Sequence, residues 1–304
     1  MIRRLGPESM RRRFATLRNG FGGRGDSSAA VGTPAPSLTT EEEAFWTANG
    51  YLVLPEFFSN EEIAGLGAEL DALWENRSID DHGLVIDIFI NTPDERRVKF
   101  GVAPSSARTS PYKLNDTYLV SPVFRDVMLD RRLVGKLTGL LDGAPIVCNS
   151  LTFEYGSQQR FHFDTFYMPP SVPNKMLATW IALEDCSPAA GPLRYYPGSH
   201  KLTPYRFSDG RLNARVEEMG EFDEYIEKQI ADAGLQWESF AARAGDVFIW
   251  HAQLYHGGAP IDDMMLTRRS LVTHYFRAED VAPEVVEDIG GGRFILRRAH
   301  QATD

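Results

Sequence analysis

Near the middle of the chain runs the stretch Gln159-Arg160-Phe161-His162-Phe163-Asp164-Thr165. Its histidine and its aspartate are two residues apart, and residues i and i+2 of a β-strand point to the same face. We therefore expect a strand over residues 160–167, with His162 and Asp164 aimed into one cavity. Two histidines and one carboxylate form the facial triad that holds Fe(II) and leaves coordination positions open. The stretch thus predicts an iron site that needs a second histidine from elsewhere in the chain.

Residues 245–258 offer two candidates for that histidine. Gly245 and Asp246 mark a turn into an apolar strand, at the end of which stands His251. The second candidate, His256, lies beside two glycines, and glycine lets a backbone approach a metal closely. Either histidine is a candidate ligand on this reasoning.

A pair of arginines, Arg268 and Arg269, leads into a further strand over residues 270–276. Adjacent strand residues face opposite ways, so only one of the two can look into the cavity. A guanidinium facing inward can hold a carboxylate through two parallel hydrogen bonds. 2-Oxoglutarate offers such a carboxylate at one end and a metal-chelating keto acid at the other.

The composition is that of a soluble globular protein, with 43% hydrophobic and 24% charged residues in 304. A net charge of −10 argues against a general nucleic-acid-binding protein. The two cysteines, Cys148 and Cys186, are too few for a disulfide framework and favour a reducing, cytoplasmic location. No apolar run reaches the length of a transmembrane helix.

The chain divides into a basic arm over residues 1–36 and a single domain over residues 37–304. The arm is rich in Gly, Ser, Ala and Pro, lacks apolar periodicity and is expected to be disordered. Its seven arginines face one acid, Glu8: they are Arg3, Arg4, Arg11, Arg12, Arg13, Arg18 and Arg24. A dispensable tail is the simplest interpretation, and a targeting segment is the alternative.

Helix patterns come first in the domain, and short strands follow from about residue 146. Capping boxes at Thr39/Glu42 and Ser59/Glu62 predict two helix starts, and Gly50 a helix stop. Residues 92–110 are expected to form a loop, and the pair Gly257-Gly258 a turn. The pattern predicts a mainly β protein with flanking helices, built on a double-stranded β-helix of the jelly-roll, cupin-like type.

Four blocks together resemble the phytanoyl-CoA dioxygenase family of Fe(II)/2-oxoglutarate-dependent oxygenases. They cover roughly residues 38–280, in family order. The blocks are residues 38–59, with Asn49-Gly50-Tyr51; residues 159–164; residues 180–201, with Pro197-Gly198-Ser199-His200; and residues 245–257 with the strand after Arg268. One departure is Gly258, where many relatives have serine.

The resemblance implies His162, Asp164 and His256 as iron ligands and Arg268 as the anchor of 2-oxoglutarate, with Arg269 as the alternative anchor. It implies Lys113 and Trp180 as further residues lining the co-substrate pocket. His251 is then expected to pack or to line the pocket, and the turn around His200 to be structural.

The implied activity is that of a 2-oxoglutarate-dependent dioxygenase. It would hydroxylate an unactivated C–H bond of a small molecule, using Fe(II), O₂ and 2-oxoglutarate and releasing succinate and CO₂. Desaturation or cyclisation at the same site is an alternative outcome, and a non-catalytic, cupin-like binding domain is another. Halogenation is disfavoured, because halogenases have a small residue where this chain has Asp164.

The substrate is expected to be an organic molecule that carries an anionic group. Residues 78–111, 166–175 and 202–243 vary in such proteins and should shape its pocket. The predicted lining is Tyr167, Met168, Tyr205 and Phe207, with Arg206, Arg211 and Arg215 for the anion. The oligomeric state does not follow from the sequence.

Overall fold

The two predicted capping boxes open the first two helices of the domain. A computed structural model describes residues 38–79 and 83–298, so the predicted arm over residues 1–36 lies outside the described residues. The side chains of Thr39 and Ser59 each accept a hydrogen bond from the backbone N–H of the glutamate three residues on. The carboxylate of that glutamate in turn accepts the backbone N–H of the threonine or serine. Gly50 ends the first helix in the left-handed conformation, as predicted.

Five α-helices are formed by the described residues, and most precede the strands of the core. They are α1 (Thr40–Asn49), α2 (Asn60–Asn76), α3 (Pro122–Met128), α4 (Arg131–Leu141) and α5 (Met219–Asp232). The apolar side of α2 is buried in the core that it shares with the large sheet; its members are Ile63, Leu66, Leu70, Leu73 and Trp74. None of the helices in the described part of the chain is long and apolar enough to cross a membrane.

The larger of two sheets has ten strands, in the order β1-β9-β6-β11-β5-β4-β2-β3, with β13 beside β5 and β12 beside β13. All pairings are antiparallel except β13 with β5. The strands are β1 (Tyr51–Leu54), β2 (Val85–Ile88), β3 (Arg96–Lys99), β4 (Tyr112–Asn115), β5 (Pro145–Phe153), β6 (Met176–Ala182), β9 (Val247–His251), β11 (Ser270–Arg277), β12 (Val286–Asp288) and β13 (Phe294–Leu296).

A smaller antiparallel sheet has the order β10-β7-β8, formed by His256–Gly258, Leu193–Tyr195 and Glu238–Phe240. One apolar cluster lies between the large sheet and the helices. A second, rich in aromatic side chains, lies between the two sheets, with Trp180, Tyr195 and Phe248 among its members. The predicted double-sheet, jelly-roll core is confirmed, and its interior is the place for a site.

Two predicted loops are wrong. Residues 92–110 contain β3, which pairs with β2 and extends the large sheet. The pair Gly257-Gly258 is part of β10, whose backbone pairs with β7. Both strands are short, and β3 is a charged edge strand, Arg96-Arg97-Val98-Lys99, so the alternation that marks a half-buried strand is missing from it.

Candidate metal centre

The structure brings the three predicted ligands together. Nε2 of His162 lies 3.7 Å and Nε2 of His256 3.6 Å from Oδ1 of Asp164. One ligand atom from each residue lies within 4.8 Å of the others, and all three residues are buried. Among the described residues this is the only such group of histidine, cysteine and carboxylate side chains.

Backbone pairing across the cavity holds the two histidines side by side. His162 and His256 exchange N–H···O bonds of 2.8 and 3.1 Å. Asp164 begins a short 3₁₀ turn, and its N–H donates to the carbonyl of Ala252. The expected strand over residues 160–167 is therefore wrong: its pairing is limited to one bridge, and the chain turns at Asp164. His162 and Asp164 nevertheless face the same cavity.

Hydrogen bonds to backbone carbonyls orient both imidazole rings. Nδ1 of His162 lies 2.8 Å from the carbonyl oxygen of Arg160, and Nδ1 of His256 lies 2.9 Å from that of Leu254. A carbonyl only accepts, so each Nδ1 donates its proton and each Nε2 is the ring nitrogen that faces Asp164. Burial, together with the neighbouring His256, lowers the pKa of His162 to about 3. A neutral imidazole is the form that binds a metal.

Asp164 is ionised although it is buried. Burial alone would raise its pKa, but the imidazoles of His256, His274 and His162 hold the pKa below its usual range. Nε1 of Trp250 donates a 2.7 Å hydrogen bond to Oδ2, which leaves Oδ1 toward the histidines. The sequence reasoning missed Trp250; its place at the end of β9, on the face opposite His251, is the signal that points to it.

A chain of polar contacts leads from the site toward the C-terminal part of the protein. Nε2 of His274 is 3.5 Å from Oδ1 of Asp164, and its Nδ1 is 3.1 Å from Oδ1 of Asn149. Asn149 donates its amide to Asp116, which also lies 3.0 Å from Nε of Arg298. Because a carboxylate only accepts, the amide of Asn149 must face Asp116 and its oxygen must face His274.

The competing histidine, His251, does not join the group. It points to the other face of β9, where its Nδ1 accepts the N–H of Gln253. Its ring packs against Trp46 and His200. Nε2 of His200 lies 3.2 Å from the carbonyl oxygen of Thr47 in α1. Both residues therefore have packing roles in the described structure.

The two arginines point in opposite directions. Arg268 lines the cavity with 3% exposure, donates to the carbonyl of Gly191 and lies over the ring of Trp180 at 5.5 Å. Burial lowers the pKa of Arg268 to about 10. Arg269 instead makes ion pairs of 2.7 and 3.2 Å with Asp71 and Glu154, and it does not line the cavity. Arg268 is thus the arginine that an incoming carboxylate would meet.

Lys113 and Trp180 also line the cavity, on β4 and β6. Nε1 of Trp180 and Nε of Arg268 are buried and have no hydrogen-bond acceptor among the described residues. Buried donors without a partner cost about 1–3 kcal/mol each, and they indicate an acceptor that binds there. A carboxylate fits this pair of donors.

The cavity has a volume of about 370 Å³ and lies between the two sheets. Tyr167 and Met168 line it, as expected, but Tyr205 and Phe207 do not. Tyr205 packs against Phe222 of α5 instead, and Phe207 packs against Tyr205 and Phe166.

The three arginines expected to receive an anion do not line the cavity either. Arg215 pairs with acidic neighbours, Asp209, Glu217 and Glu218, and Arg206 donates to the carbonyl of Gly210. Residue 211 follows the turn made by Asp209, whose carboxylate accepts its backbone N–H. Arg206 and Arg215 bond within their own segment, and the expectation that the three arginines line the substrate pocket is wrong.

Gly258 has a steric reason for its departure from serine. A Cβ at this position would lie 2.7 Å from Oγ of Ser157 and 2.8 Å from the backbone nitrogen of Gln158. Ser157 itself lines the cavity. The neighbouring segment therefore fills the space that a side chain at 258 would take.

Two imidazoles whose Nε2 atoms face an ionised carboxylate, converging from two backbone segments, fit a divalent metal of the first transition row. His162, Asp164 and His256 occupy one side of the cavity and leave its remaining volume to other ligands. Arg268 and Trp180 offer their donors within the same cavity. The arrangement can hold a metal together with a small dicarboxylate.

Comparison with known proteins agrees with this geometry. The profile of the phytanoyl-CoA dioxygenase (PhyH) family matches residues 46–262. Phytanoyl-CoA dioxygenase 1 of Oryza sativa subsp. japonica is 25% identical over 251 residues, which are 73% of this chain and 84% of that protein. Ectoine dioxygenase of Stutzerimonas stutzeri is 27% identical over 224 residues, 69% of this chain and 67% of that protein.

Solved structures share the fold. SnoK, a non-heme α-ketoglutarate-dependent carbocyclase from nogalamycin biosynthesis, superposes with a TM-score of 0.61 at 20% identity, over 81% of this chain and 87% of that one. EctD from S. alaskensis, solved with 2-oxoglutarate and 5-hydroxyectoine, gives 0.58 at 19% identity, over 84% and 80%. With a family match over most of its length, the chain belongs to the phytanoyl-CoA dioxygenase family, as the four sequence blocks predicted.

Proposed function

We propose that this protein is an Fe(II)- and 2-oxoglutarate-dependent oxygenase that hydroxylates a C–H bond of a small organic substrate. The observation that carries the proposal is the joint presence, in one cavity, of the His162, Asp164 and His256 donor atoms and of the unpaired donors of Arg268 and Trp180. The bound iron supplies activation of O₂, coupled to the oxidative decarboxylation of 2-oxoglutarate to succinate and CO₂. The family membership agrees with this activity.

The chain's own residues bind and orient the reactants. His162, Asp164 and His256 are the proposed iron ligands, and the carbonyls of Arg160 and Leu254 keep the two rings in the required tautomer. Arg268 is the proposed anchor of the distal carboxylate of 2-oxoglutarate. It lies outside the matched residues 46–262, so its support is structural: deep burial and a direction opposite to that of Arg269.

Trp180 and Lys113 complete the proposed co-substrate pocket. The ring of Trp180 lies under the guanidinium of Arg268, and its N–H is the second unpaired donor. Lys113 adds a positive charge to the same cavity. Arg268 and Trp180 are both buried, so the contacts that they would make to the co-substrate are less screened by water.

The substrate is proposed to carry an anionic group, and the protein is proposed to act in the cytoplasm. Both described cysteines, Cys148 and Cys186, are buried free thiols, which suits a reducing compartment. Asp164 keeps the carboxylate that a halogenase lacks, which supports oxygen transfer rather than halogenation.

The test needs no substrate. Protein mixed anaerobically with Fe(II) and 2-oxoglutarate should develop the weak visible charge-transfer band of the metal–keto acid chelate. His162→Ala should abolish the band. Arg268→Gln should keep it but require at least about 10-fold more 2-oxoglutarate, because a charge-assisted bond pair is lost. The adjacent Arg269→Gln, which removes an outward arginine, is the matched control and should titrate like wild type. A folded wild-type protein without the band refutes the proposal.

A further inference from the structure

The cavity has a buried end and an open end. Arg268 and Trp180, the proposed co-substrate contacts, are 3% and 2% exposed, whereas Tyr167 is 60% exposed although it lines the same cavity. The ring of Tyr167 meets that of His162 edge to face, with 5.5 Å between the ring centroids and 69° between the ring planes. Tyr167 therefore lies at the open end, against one of the proposed iron ligands, where a substrate arrives from solvent.

The backbone around the open end is held in place by hydrogen bonds. Tyr167 follows the 3₁₀ turn that begins at Asp164, and its N–H donates to the carbonyl of Asp164. Gln159, another lining residue, is fixed on both sides of its backbone. Its N–H donates to Oγ of Ser157, and its carbonyl accepts the N–H of Gly258 in β10. The side chains of Tyr167 and Gln159 thus project from two fixed segments.

These two side chains are joined by a hydrogen bond. Nε2 of Gln159 donates to Oη of Tyr167 over 3.1 Å. An amide nitrogen carries two hydrogens and a phenol carries one, so this bond leaves one amide hydrogen and the phenol hydrogen for other acceptors. Within residues 38–79 and 83–298, no acceptor takes the phenol hydrogen. Two uncharged donors therefore lie side by side at the open end of the cavity.

Donors of this kind select an oxygen acceptor on a ligand. A hydroxyl and an amide bind a carbonyl or carboxylate oxygen without the desolvation cost of a buried charge. Met168 lines the cavity next to them and adds apolar surface. A ligand without an acceptor oxygen displaces water from the two donors and leaves them unpaired, which lowers its affinity relative to a ligand that has one.

We propose that Tyr167, held by Gln159, is a specificity-determining residue of the substrate site and donates its phenol hydrogen to a carbonyl or carboxylate oxygen of the substrate. This inference rests on the proposed oxygenase function and names the substrate chemistry of that site. Because the ring of Tyr167 contacts His162, the acceptor oxygen lies beside the proposed iron position. The substrate is therefore a carbonyl compound or a carboxylic acid that is oxidised at a carbon near that group.

The test uses the full-length protein loaded with Zn(II), a diamagnetic substitute for iron, and saturating 2-oxoglutarate. Three probes with the same ring are titrated by ligand-observed NMR: cyclopentanone, cyclopentanecarboxylate and cyclopentane, which has no acceptor. We expect both oxygen-bearing probes to bind and cyclopentane to bind at least about 3-fold more weakly. The tighter of the two oxygen-bearing probes identifies the acceptor as an uncharged carbonyl or a carboxylate. Failure of both to bind overturns the inference.

Removal of one hydroxyl identifies the donor. Tyr167→Phe keeps the ring and should weaken binding of cyclopentanone by about 3-fold to 10-fold, and of cyclopentanecarboxylate by about 10-fold to 100-fold, because a hydrogen bond to a charged group is stronger. Tyr225→Phe is the matched control. Its hydroxyl donates to the carbonyl of Thr203 outside the cavity lining, so this variant should bind all three probes like wild type. Unchanged binding of both oxygen-bearing probes in Tyr167→Phe overturns the inference.

A charged replacement of nearly equal size at position 159 tests the direction of the hydrogen bond. In Gln159→Glu the new carboxylate accepts the phenol hydrogen of Tyr167, so the hydroxyl stays in place but has no hydrogen to give to a ligand. Cyclopentanone should then bind about as weakly as it does to Tyr167→Phe. Wild-type affinity for cyclopentanone in Gln159→Glu would show that the phenol hydrogen is not the donor, and it contradicts the proposal.

Failure of the oxygenase proposal is seen in a separate signal. The NMR signals of 2-oxoglutarate report its own binding to the wild-type protein and its weaker binding to Arg268→Gln. If 2-oxoglutarate does not bind, the oxygenase proposal fails, and cyclopentanone is titrated against Zn(II)-loaded wild type and Tyr167→Phe without it. Weaker binding to Tyr167→Phe there supports the role of Tyr167 on its own, and equal binding refutes it.

Discussion

The orientation of one carboxylate depends on one indole N–H. Trp250 bonds to Oδ2 of Asp164 and thereby directs Oδ1 toward the histidines. Trp250→Phe keeps most of the packing and removes the donor. Outer hydrogen bonds of this kind change metal affinity by about 10-fold to 100-fold, so we expect a weakening in that range. Competition between the protein and a chromophoric chelator for Fe(II) measures it. Trp46→Phe, on α1 and outside the cavity lining, is the control; unchanged affinity in Trp250→Phe contradicts this role.

Gly258 is a residue at which a serine should be harmful in this chain. Its Cβ would press on Ser157 and on the backbone of Gln158, and the backbone cannot move aside like a side chain. We expect Gly258→Ser to lower the free energy of unfolding by about 1–3 kcal/mol, measured by urea denaturation. Gly65→Ser, where an added Cβ meets nothing within 4 Å, should cost far less. Adding Ser157→Gly should recover part of the loss, and no recovery would contradict the steric explanation.

At the level of elements, β9 separates two histidine environments. Its outer face carries His251, whose pKa is lowered to about 4 by burial and by the neighbouring His200, itself lowered by burial. The unfolded chain takes up this proton at a pKa of about 6.5. Because the unfolded state binds more protons below that value, stability is complete above pH 6.5 and is lost as the pH falls toward 4. Between pH 7 and pH 5 the loss is about 2 kcal/mol.

His251→Asn should reduce that loss, since asparagine can still accept the N–H of Gln253 and does not titrate. Urea denaturation of the metal-free protein at pH 7 and pH 5 measures the difference for wild type and variant. His162 also titrates at low pH in the metal-free protein, but it is present in both. The same pH dependence in both proteins would show that His251 is not responsible.

Sequence patterns predicted the helices and strands that local sequence signals determine. Capping boxes marked the starts of α1 and α2, and apolar runs marked β9, β11 and the onset of the strands near residue 146. The segment around His162 could not be predicted, because a single backbone bridge to His256, 94 positions away in the chain, replaces the ladder of a strand. The edge strand β3 was not predicted for a similar reason: it is held by its pairing with β2, and its side chains are mostly exposed.

The site was predictable to the extent that it follows alternation along strands. Opposite faces at residues 268 and 269 separate the buried arginine from the paired one. The roles of Trp250 and Arg298 could not be read in this way. Trp250 acts on a residue 86 positions away and Arg298 lies beyond the last block of the resemblance, so only the folded chain brings them to the cavity.

Considered as a whole, the molecule places its candidate site where the two sheets meet. His256, Gly257 and Gly258 line the cavity from the small sheet, and Trp180, Val272 and His274 line it from the large one. The backbone pairing of His162 with His256 of β10 attaches the segment around His162 to the small sheet. A ligand in the cavity therefore contacts both sheets and the segment around His162 at once.

Metal and co-substrate should accordingly stabilise the parts of the chain that meet at the cavity. A ligand that binds only the folded state at 100 times its Kd adds about 2.7 kcal/mol to the free energy of unfolding. We expect Zn(II) with 2-oxoglutarate to slow hydrogen exchange in residues 157–168 and 252–258. The backbone N–H groups of His162, Asp164 and His256 exchange only when these three residues move apart, and a bound metal opposes that movement. Helix α5, which contributes no lining residue, should change less. Exchange followed by mass spectrometry tests this, with His162→Ala as the control that should lose the added protection. Equal slowing of exchange along the whole chain would instead indicate global stabilisation and would contradict a local effect where the two sheets meet.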